Sequence, residues 1–349
     1  KIRLKKGLHL KGIRHHFGTS LLLSNIDLEV ESGEIVCLVG PSGSGKTTLL
    51  RLVAGLEGLQ VGEIWLHGEL LATSRQQPPP EKRSIGLVFQ DHVLFPHMSV
   101  LENISFGLPR MTKDKRRRAV EDRLQSVGLA GFADRFPHTL SGGEQQRIAL
   151  ARALATEPDV MLMDEPFASV DVTLKRRLRE DARLALKSAG VATLMVTHDP
   201  EEALAFGDRI AVIVGGSVIQ NAIPEELCRN PADRFIAELF GAARSFIGIV
   251  RDKKIATDFG ELTDVKIPDG MVNGDKVDVV VRPESVALKE GPGVAQIRDI
   301  RYSGESYLLI LTSGASTLHG LSGIKPAAEI GSTVGVTFES SRVLVYSRK

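Results

Sequence analysis

Short, wholly apolar runs separated by amphipathic stretches fill the first two thirds of the chain. Glu34-Ile-Val-Cys-Leu-Val39 reads as a buried strand, and Thr48-Leu-Leu-Arg-Leu-Val-Ala54 behind it as a helix. Val160-Met-Leu-Met163, Val191 to Thr197 and Arg209 to Val214 predict three more buried strands, with a helix over Leu174 to Ser188. Apolar strands that alternate with helices predict a parallel sheet covered on both faces. Between Asp91 and Leu140 the alternation stops. Val120, Leu124 and Val127 fall at helical spacing, and Gly128 follows as a terminating residue, so a helical insertion is expected there. Gln76-Gln-Pro-Pro-Pro80 reads as a stiff loop entering a strand over Ile85 to Phe89.

The pattern changes near residue 240, where Gly241-Ala-Ala-Arg-Ser245 looks like a connection. Beyond it, Val277, Val279 and Val281 share one strand face, as do Val334, Val336 and Phe338, and Val343 and Val345. Glycines and prolines punctuate these runs at Pro268 to Gly274, Gly291 to Gly293 and Gly331. A small all-β domain, a barrel of short strands, is expected. The division is therefore 1–240 for an α/β domain, with a helical subdomain over about 91–157, and 241–349 for the β domain.

Composition narrows the function classes. The 44 basic and 43 acidic residues leave a net charge of +1, too little for a field that holds nucleic acid or an anionic membrane. Hydrophobic residues at 42% and charged residues at 25% suit a chain with a real core and exclude disorder. With two cysteines, Cys37 in an apolar run and Cys228, and no CxxC spacing, neither a zinc site nor a disulfide framework is expected, and the default location is reduced and cytosolic. No apolar run approaches the ~18 residues of a membrane span. Lys1 to Leu10 is basic with no apolar region behind it, unlike a secretory signal. The run Lys113-Asp-Lys-Arg-Arg-Arg118 reads as a solvated helix face or a partner-binding patch.

Three segments carry chemistry. Gly40-Pro41-Ser42-Gly43-Ser44-Gly45-Lys46-Thr47 fits the Walker A pattern between a strand and a helix. Its glycines turn backbone N–H groups toward phosphate oxygens, the helix N-terminus adds a positive dipole end, Lys46 reaches the β and γ phosphates, and the Thr47 hydroxyl suits Mg²⁺. Met161-Leu-Met-Asp-Glu165 ends an apolar strand in two acids, Asp164 for the Mg²⁺ shell and Glu165 to polarise a water. Leu140-Ser-Gly-Gly-Glu-Gln-Gln-Arg147 reads as a helix start, with Ser141 as N-cap and Glu144 completing a capping box. That is a second anion-binding helix end in one chain. A head-to-tail pair of chains, each nucleotide between the Lys46 loop of one and the Ser141 turn of the other, explains why both are present.

These motifs, in this order, resemble the nucleotide-binding subunit of an ABC transporter, an α/β P-loop NTPase fold with a helical insertion, over about residues 8 to 240. The resemblance implies ATP and Mg²⁺ as cofactors, and a homodimer seated on integral membrane permease subunits. It assigns Phe17 to stacking on adenine, and residues 40–48, Thr48 included, to the phosphates. Gln90 falls at the position of the glutamine that touches Mg²⁺ and couples to the permease. His198 matches the switch histidine, Asp171 the D-loop aspartate, and Ser141, Gly142, Gly143 and Glu144 the signature turn. Ala168 stands where the family has a serine. Catalysis is carried over to Glu165, His198, Lys46 and Gln90, and the metal to Thr47, Gln90 and Asp164. Phe95 to Ile104 lies where the family docks the permease.

Val281-Arg-Pro-Glu-Ser-Val286 is similar to the OB-like (TOBE) accessory domain of importer ATPases for maltose, polyamines and ferric iron. An importer ATPase on the cytoplasmic face of the membrane is therefore expected, served indirectly by a substrate-binding protein and with no nucleic-acid partner. Leu94-Phe-Pro-His-Met-Ser-Val, Arg179-Glu-Asp181 and Pro231-Ala-Asp-Arg-Phe235 look most like ferric-iron importers, with polyamine, sugar or inorganic anion as the alternatives. The other reading, an ABC ATPase acting on nucleic acid or the ribosome, calls for paired ATPase units or coiled-coil arms, and this sequence has neither. A P-loop kinase or GTPase has no use for the Ser141 helix.

Overall fold

Five residues of the first predicted strand, Ile35 to Val39, are fully buried, and the elements that matter for function are arranged around them. The computed structural model describes residues 6–89, 94–108, 111–168, 172–241, 243–289 and 293–348. The chain divides into two compact units, 1–224 and 225–349. The first opens with β1 (Gly7–Phe17) and β2 (Ser20–Glu31), and β3 (Ile35–Val39) then leads into α1 (Lys46–Ala54). β4 (Val61–Leu66) and β5 (Glu69–Thr73) return to the opening hairpin and form an antiparallel sheet of order β2-β1-β4-β5. β6 (Ile85–Val88) is followed by α2 (Val100–Ser105), α3 (Lys113–Ser126) and α4 (Gly142–Ala155), the expected helical insertion. The unit is completed by β7 (Val160–Asp164), α5 (Val172–Ala189), β8 (Ala192–Thr197), α6 (Pro200–Phe206), β9 (Arg209–Val214) and β10 (Ser217–Ala222).

Six of these strands form the central sheet, in the order β10-β9-β3-β8-β7-β6. All its pairings are parallel except that of β10 with β9. Strands covered on both faces read as unbroken apolar runs, which is why they were visible in the sequence. One core joins the two sheets through α1: Leu8, Ile26 and Val30 from the antiparallel sheet meet Leu49, Leu52 and Val53 of α1 and Leu38, Leu162 and Val196 of the central sheet. The antiparallel sheet is absent from the sequence expectations. Ile26, Leu28 and Val30 alternate, but register shifts in β1 between Leu10 and His16 break the period of two.

The carbonyl end of α1 is closed by a residue the motifs do not include. Arg83 is 6% exposed, and its Nη1 donates to the carbonyls of Leu52 (2.9 Å) and Val53 (2.7 Å) while Nε donates to that of Pro78 (2.9 Å). A cation at a helix C-terminus satisfies orphan carbonyls and complements the dipole. Burial lowers its guanidinium below the usual arginine range.

The second unit begins with α7 (Pro224–Arg229), whose first residue closes the first unit, and α8 (Arg234–Gly241). One five-stranded antiparallel sheet contains β11 (Arg244–Arg251), β12 (Lys254–Thr257), β13 (Gly260–Leu262), β14 (Lys276–Val281) and β20 (Val343–Ser347). The other contains β15 (Val286–Lys289), β16 (Ala295–Tyr302), β17 (Tyr307–Ser313), β18 (Ser316–Ser322) and β19 (Thr333–Phe338). A single core of residues such as Phe246, Val277, Val279, Leu309 and Leu311 lies between them. The division falls at 224 rather than near 240 because α8 belongs to the β domain. Ala237 packs on Val280, Arg234 pairs with Asp278 at 3.2 Å, and the Tyr346 hydroxyl donates to the Pro231 carbonyl at 3.0 Å.

Arg83→Ala leaves two carbonyls of the phosphate-loop helix buried without a donor. It is expected to destabilise the first unit by about 3 kcal/mol. Urea unfolding followed at Trp65, the chain's one tryptophan and a β4 residue, measures it.

Candidate functional site

β3, β8 and β7 are neighbours in a parallel sheet, so their C-terminal ends lie along one edge. That edge is where open α/β sheets bind ligands. Residues 40–45 leave β3 there, Asp164 ends β7, and His198 follows β8. Two of the loop's glycines are required by close approach. A Cβ on Gly40 would lie 2.1 Å from the Ile213 carbonyl oxygen, and one on Gly45, where φ is +93°, would lie 2.5 Å from Leu23 Cδ2. The backbone thus has room to turn its N–H groups outward.

Lys46, the first residue of α1, is buried, and its Nζ donates to the carbonyls of Gly40 and Pro41, both at 2.8 Å, and to Ser44 Oγ at 3.4 Å. Burial lowers this ammonium below its usual value, against the opposing pull of Glu165 and Asp164. Thr47 Oγ1 donates to Asp164 Oδ1 at 3.2 Å. Burial raises the Asp164 carboxyl, the Thr47 bond and the Lys46 charge resist it, and neighbouring Glu165 adds to the rise. Glu165 has φ of +44°, a conformation uncommon for a non-glycine residue, and its N–H donates to the Val196 carbonyl at 2.9 Å. Its Oε2 lies 2.9 Å from His198 Nδ1, and the His198 ring is 63% exposed against 23% for Glu165. Leu22, Ser42, Gly43, Gly45, Lys46, Thr47, Thr48, Glu165 and His198 line a cavity of about 550 Å³. Eight of these nine come from the Lys46 loop and the residues assigned to it by motif.

The second helix end forms as its sequence predicts. Ser141 Oγ accepts the Glu144 N–H at 3.4 Å, and Glu144 Oε2 accepts the Ser141 N–H at 2.7 Å and its hydroxyl at 2.8 Å. Those hydrogen bonds from Ser141 hold the Glu144 carboxyl below its usual range. Ser141 and Gly142 are exposed, while Gly143 is buried where α4 crosses α5. A Cβ on Gly143 would stand 2.9 Å from both Leu174 and Leu178. None of residues 141–144 lines the cavity at Lys46. Phe17 is 79% exposed at the end of β1 and is not among the lining residues. Gln90 and Asp171 lie outside the described residues. The segment from Phe95 to Ile104 folds into a loop and α2, organised by buried Asn103, which accepts the Phe95 N–H and donates to the carbonyls of Phe95, Met98 and Ser99.

Residues 23–168 match the family described as "ABC transporter". The sulfate/thiosulfate import ATP-binding protein CysA 2 of Agrobacterium fabrum is 39% identical over 89% of this chain and 91% of its own length. The Fe(3+) ions import ATP-binding protein FbpC of Photorhabdus laumondii is 38% identical over 89% and 88%. The chain belongs to the ABC transporter ATP-binding subunits. The spermidine/putrescine import ATP-binding protein PotA of Acetivibrio thermocellus is 38% identical over 81% of this chain and 80% of its own length. Among solved structures, cbiO1 of Clostridium perfringens, part of an ABC transporter complex, shares 28% identity at a TM-score of 0.59 over 64% of this chain and 91% of that one. An ATP-binding cassette in a dimeric post-hydrolysis state with ADP and Pi shares 31% at 0.53, over 62% and 98%.

This ABC subunit is an ATPase that takes ATP with Mg²⁺, and its donor set fits them. Among the described residues no three His, Cys, Asp or Glu side chains cluster as an all-protein metal cage. A hydroxyl beside one carboxylate, at Thr47 and Asp164, is instead the pair suited to a magnesium ion that shares its remaining positions with phosphate oxygens and water. The motifs do not reveal the polar group behind His198. Thr197, Asp199 and Glu202 sit there with Lys175 of α5. Asp199-Pro200-Glu201-Glu202 is itself a legible helix start, an N-cap followed by proline and acids.

Because burial raises Asp164, the folded chain binds that proton more tightly than the unfolded chain does. Stability therefore falls as pH rises through the window between the ordinary aspartate value, about 3.9, and the raised one. Asp164→Asn is expected to raise the melting midpoint of the ATP-free protein by a few degrees at pH 7, with the gain shrinking toward pH 4. Trp65 fluorescence melts across that range measure it.

Proposed function

We propose that two copies of this chain close head to tail on two MgATP and power the import of a solute through separate membrane permease subunits. The observation that carries the reading is the cavity that gathers Lys46, Thr47, Glu165 and His198 while the Ser141 turn stands outside it, exposed and capped. The cavity presents one half of a phosphate cage, and a second copy's Ser141 and Gly143 supply the other.

On nucleotide entry, Lys46 Nζ leaves the Gly40 and Pro41 carbonyls for the β and γ phosphates, and the backbone amides of 43–48 turn onto the same oxygens. Thr47 and Asp164, with Gln90, would hold Mg²⁺, which neutralises phosphate charge. Glu165 orients the attacking water and accepts its proton. His198, hydrogen-bonded to Glu165, keeps that carboxylate aimed and meets the charge growing on the γ-phosphate. Exposed Phe17 stacks on the adenine. Phe95 to Ile104 receives the permease, so the chain works from the cytoplasmic face of the membrane, with a binding protein delivering cargo on the other side. Among the described residues no helix is long and apolar enough to cross a membrane.

Ferric iron is the cargo we propose. Relatives named for Fe(3+) import reach 41% identity in Mannheimia succiniciproducens and 42% in Mesorhizobium japonicum. Sulfate is the second reading, favoured by the 39% match that spans 91% of the sulfate/thiosulfate relative.

Glu165→Gln keeps the hydrogen-bonding shape and removes the base. It is expected to bind ATP, form a stable dimer by light scattering and hydrolyse at least ~10²-fold more slowly. Turnover equal to the parent removes Glu165 from its role. In the source cell, the same variant should abolish ferric-iron uptake and spare sulfate uptake. The reverse outcome transfers the cargo to sulfate.

A further inference from the structure

Among the described residues, Glu165 alone is hydrogen-bonded to the exposed ring of His198, so its aim depends on the backbone to either side. Thr197 ends β8 at 1% exposure. Its hydroxyl donates to Glu202 and accepts the Asp199 N–H at 3.1 Å. Asp199 caps α6, taking the N–H groups of Glu201 at 3.0 Å and Glu202 at 3.2 Å on Oδ1. Its other oxygen accepts Lys175 Nζ at 3.0 Å, and the same Nζ lies 3.6 Å from Glu202 Oε1, a buried atom with no hydrogen bond of its own. The polar ring therefore runs Thr197, Glu202, Lys175, Asp199 and back to Thr197, with His198 on the backbone at its rim. Among the described residues, Lys175 is the one cation within ion-pair distance of either carboxylate.

The far end of α6 is gripped by the same helix. Arg183 of α5 donates to the Phe206 carbonyl and to Asp208 Oδ1 (2.7 Å), and Lys187 pairs with Asp208. A seven-residue helix is too short to hold its own position. Here α5 fixes both of its ends.

We infer that Lys175 is a positioning residue for hydrolysis: it sets the aim of His198 by bridging Asp199 and Glu202, and touches no nucleotide. The inference rests on the proposed role of His198. Without Lys175, a carboxyl that is 2% exposed, already raised by burial, faces Asp199 with only the charge of Arg179, beyond ion-pair distance, to offset it, and the cap that starts α6 at Pro200 is pushed off its place. ATP binding is made by the Lys46 loop, on another strand, and is left intact.

The test uses steady-state and single-turnover hydrolysis by the full chain. Lys175→Met is expected to lower kcat roughly tenfold to a hundredfold with KM for ATP within about twofold, the size that a small misplacement of a reacting group carries. Lys175→Arg should recover most of the loss. Asp199→Asn keeps an N-cap residue and removes the ion pair, so it should lower kcat in the same sense while α6 stays capped. It also serves as the measurement if the Met variant folds poorly. In a His198→Ala background, Lys175→Met should change the residual single-turnover rate by less than about twofold, because its effect passes through the ring already removed. An undiminished loss in that background, or an unchanged kcat in both single variants, overturns the inference. Parental turnover by His198→Ala alone instead overturns the reading beneath it.

Discussion

The arrangement of this molecule follows from one constraint: β3 is buried on both faces and must pass its chain into α1 within six residues of its end. A buried parallel strand has no free backbone groups to spare, so β3 is paired on both edges, with β8 and β9. That pairing brings the Gly40 backbone against the Ile213 carbonyl so closely that no side chain fits. It also lays the tips of β8 and β7 beside the loop, which is how Asp164, Glu165 and His198 come to face residues more than a hundred positions away in the chain. The site comes from strand order, with the loop motif inserted at its centre.

The same edge gathers charges that folding alone would avoid. Lys46, Asp164 and Glu165 share a half-buried pocket in which burial disfavours the ammonium and the Asp164 carboxylate alike. Lys46 satisfies its protons on two carbonyls of its own loop, and Glu165 is held at φ +44° by a hydrogen bond to β8. Each feature costs stability by itself, and each is relieved or used when a polyphosphate with its cation occupies the loop. Arg83 on the far end of α1 works the other way. It closes the helix whose first residue is Lys46, so the loop is presented from a rigid support.

How far the sequence reveals all this depends on whether a feature is local. The runs that become β3, β7, β8 and β9 are legible because strands buried on both faces are apolar throughout. The Lys46 loop and the Ser141 turn are legible because a phosphate cradle and a capping box each lie within about eight consecutive residues. The antiparallel sheet is hidden by the irregular register of β1. The unit boundary is misplaced because α8 is helical like the first unit, and only its packing on Val280 and its pairing with Asp278 assign it to the second. Arg83 and Lys175 leave no signal. Each belongs to a basic run, Lys82-Arg83 or Lys175-Arg176-Arg177, that does not say which cation is bonded, and its partners are found only after folding.

α5 packs behind the Ser141 turn and also behind the segment that carries His198. Leu174 and Leu178 pack against Gly143 directly behind Ser141, and Asp181 pairs with Arg147 of α4 at 3.0 Å. On the same helix, Lys175, Arg183 and Lys187 hold α6 at both ends. Residues 174, 178 and 181 share one helical face and 183 and 187 the opposite one, with Lys175 on the flank between them, so the two tasks are divided around one rigid rod. The Ser141 turn serves the nucleotide of one site in the proposed dimer and His198 serves the other. One rigid helix thus packs against both the helix that Ser141 starts and the short helix that follows His198, so the position of each is referred to the same support.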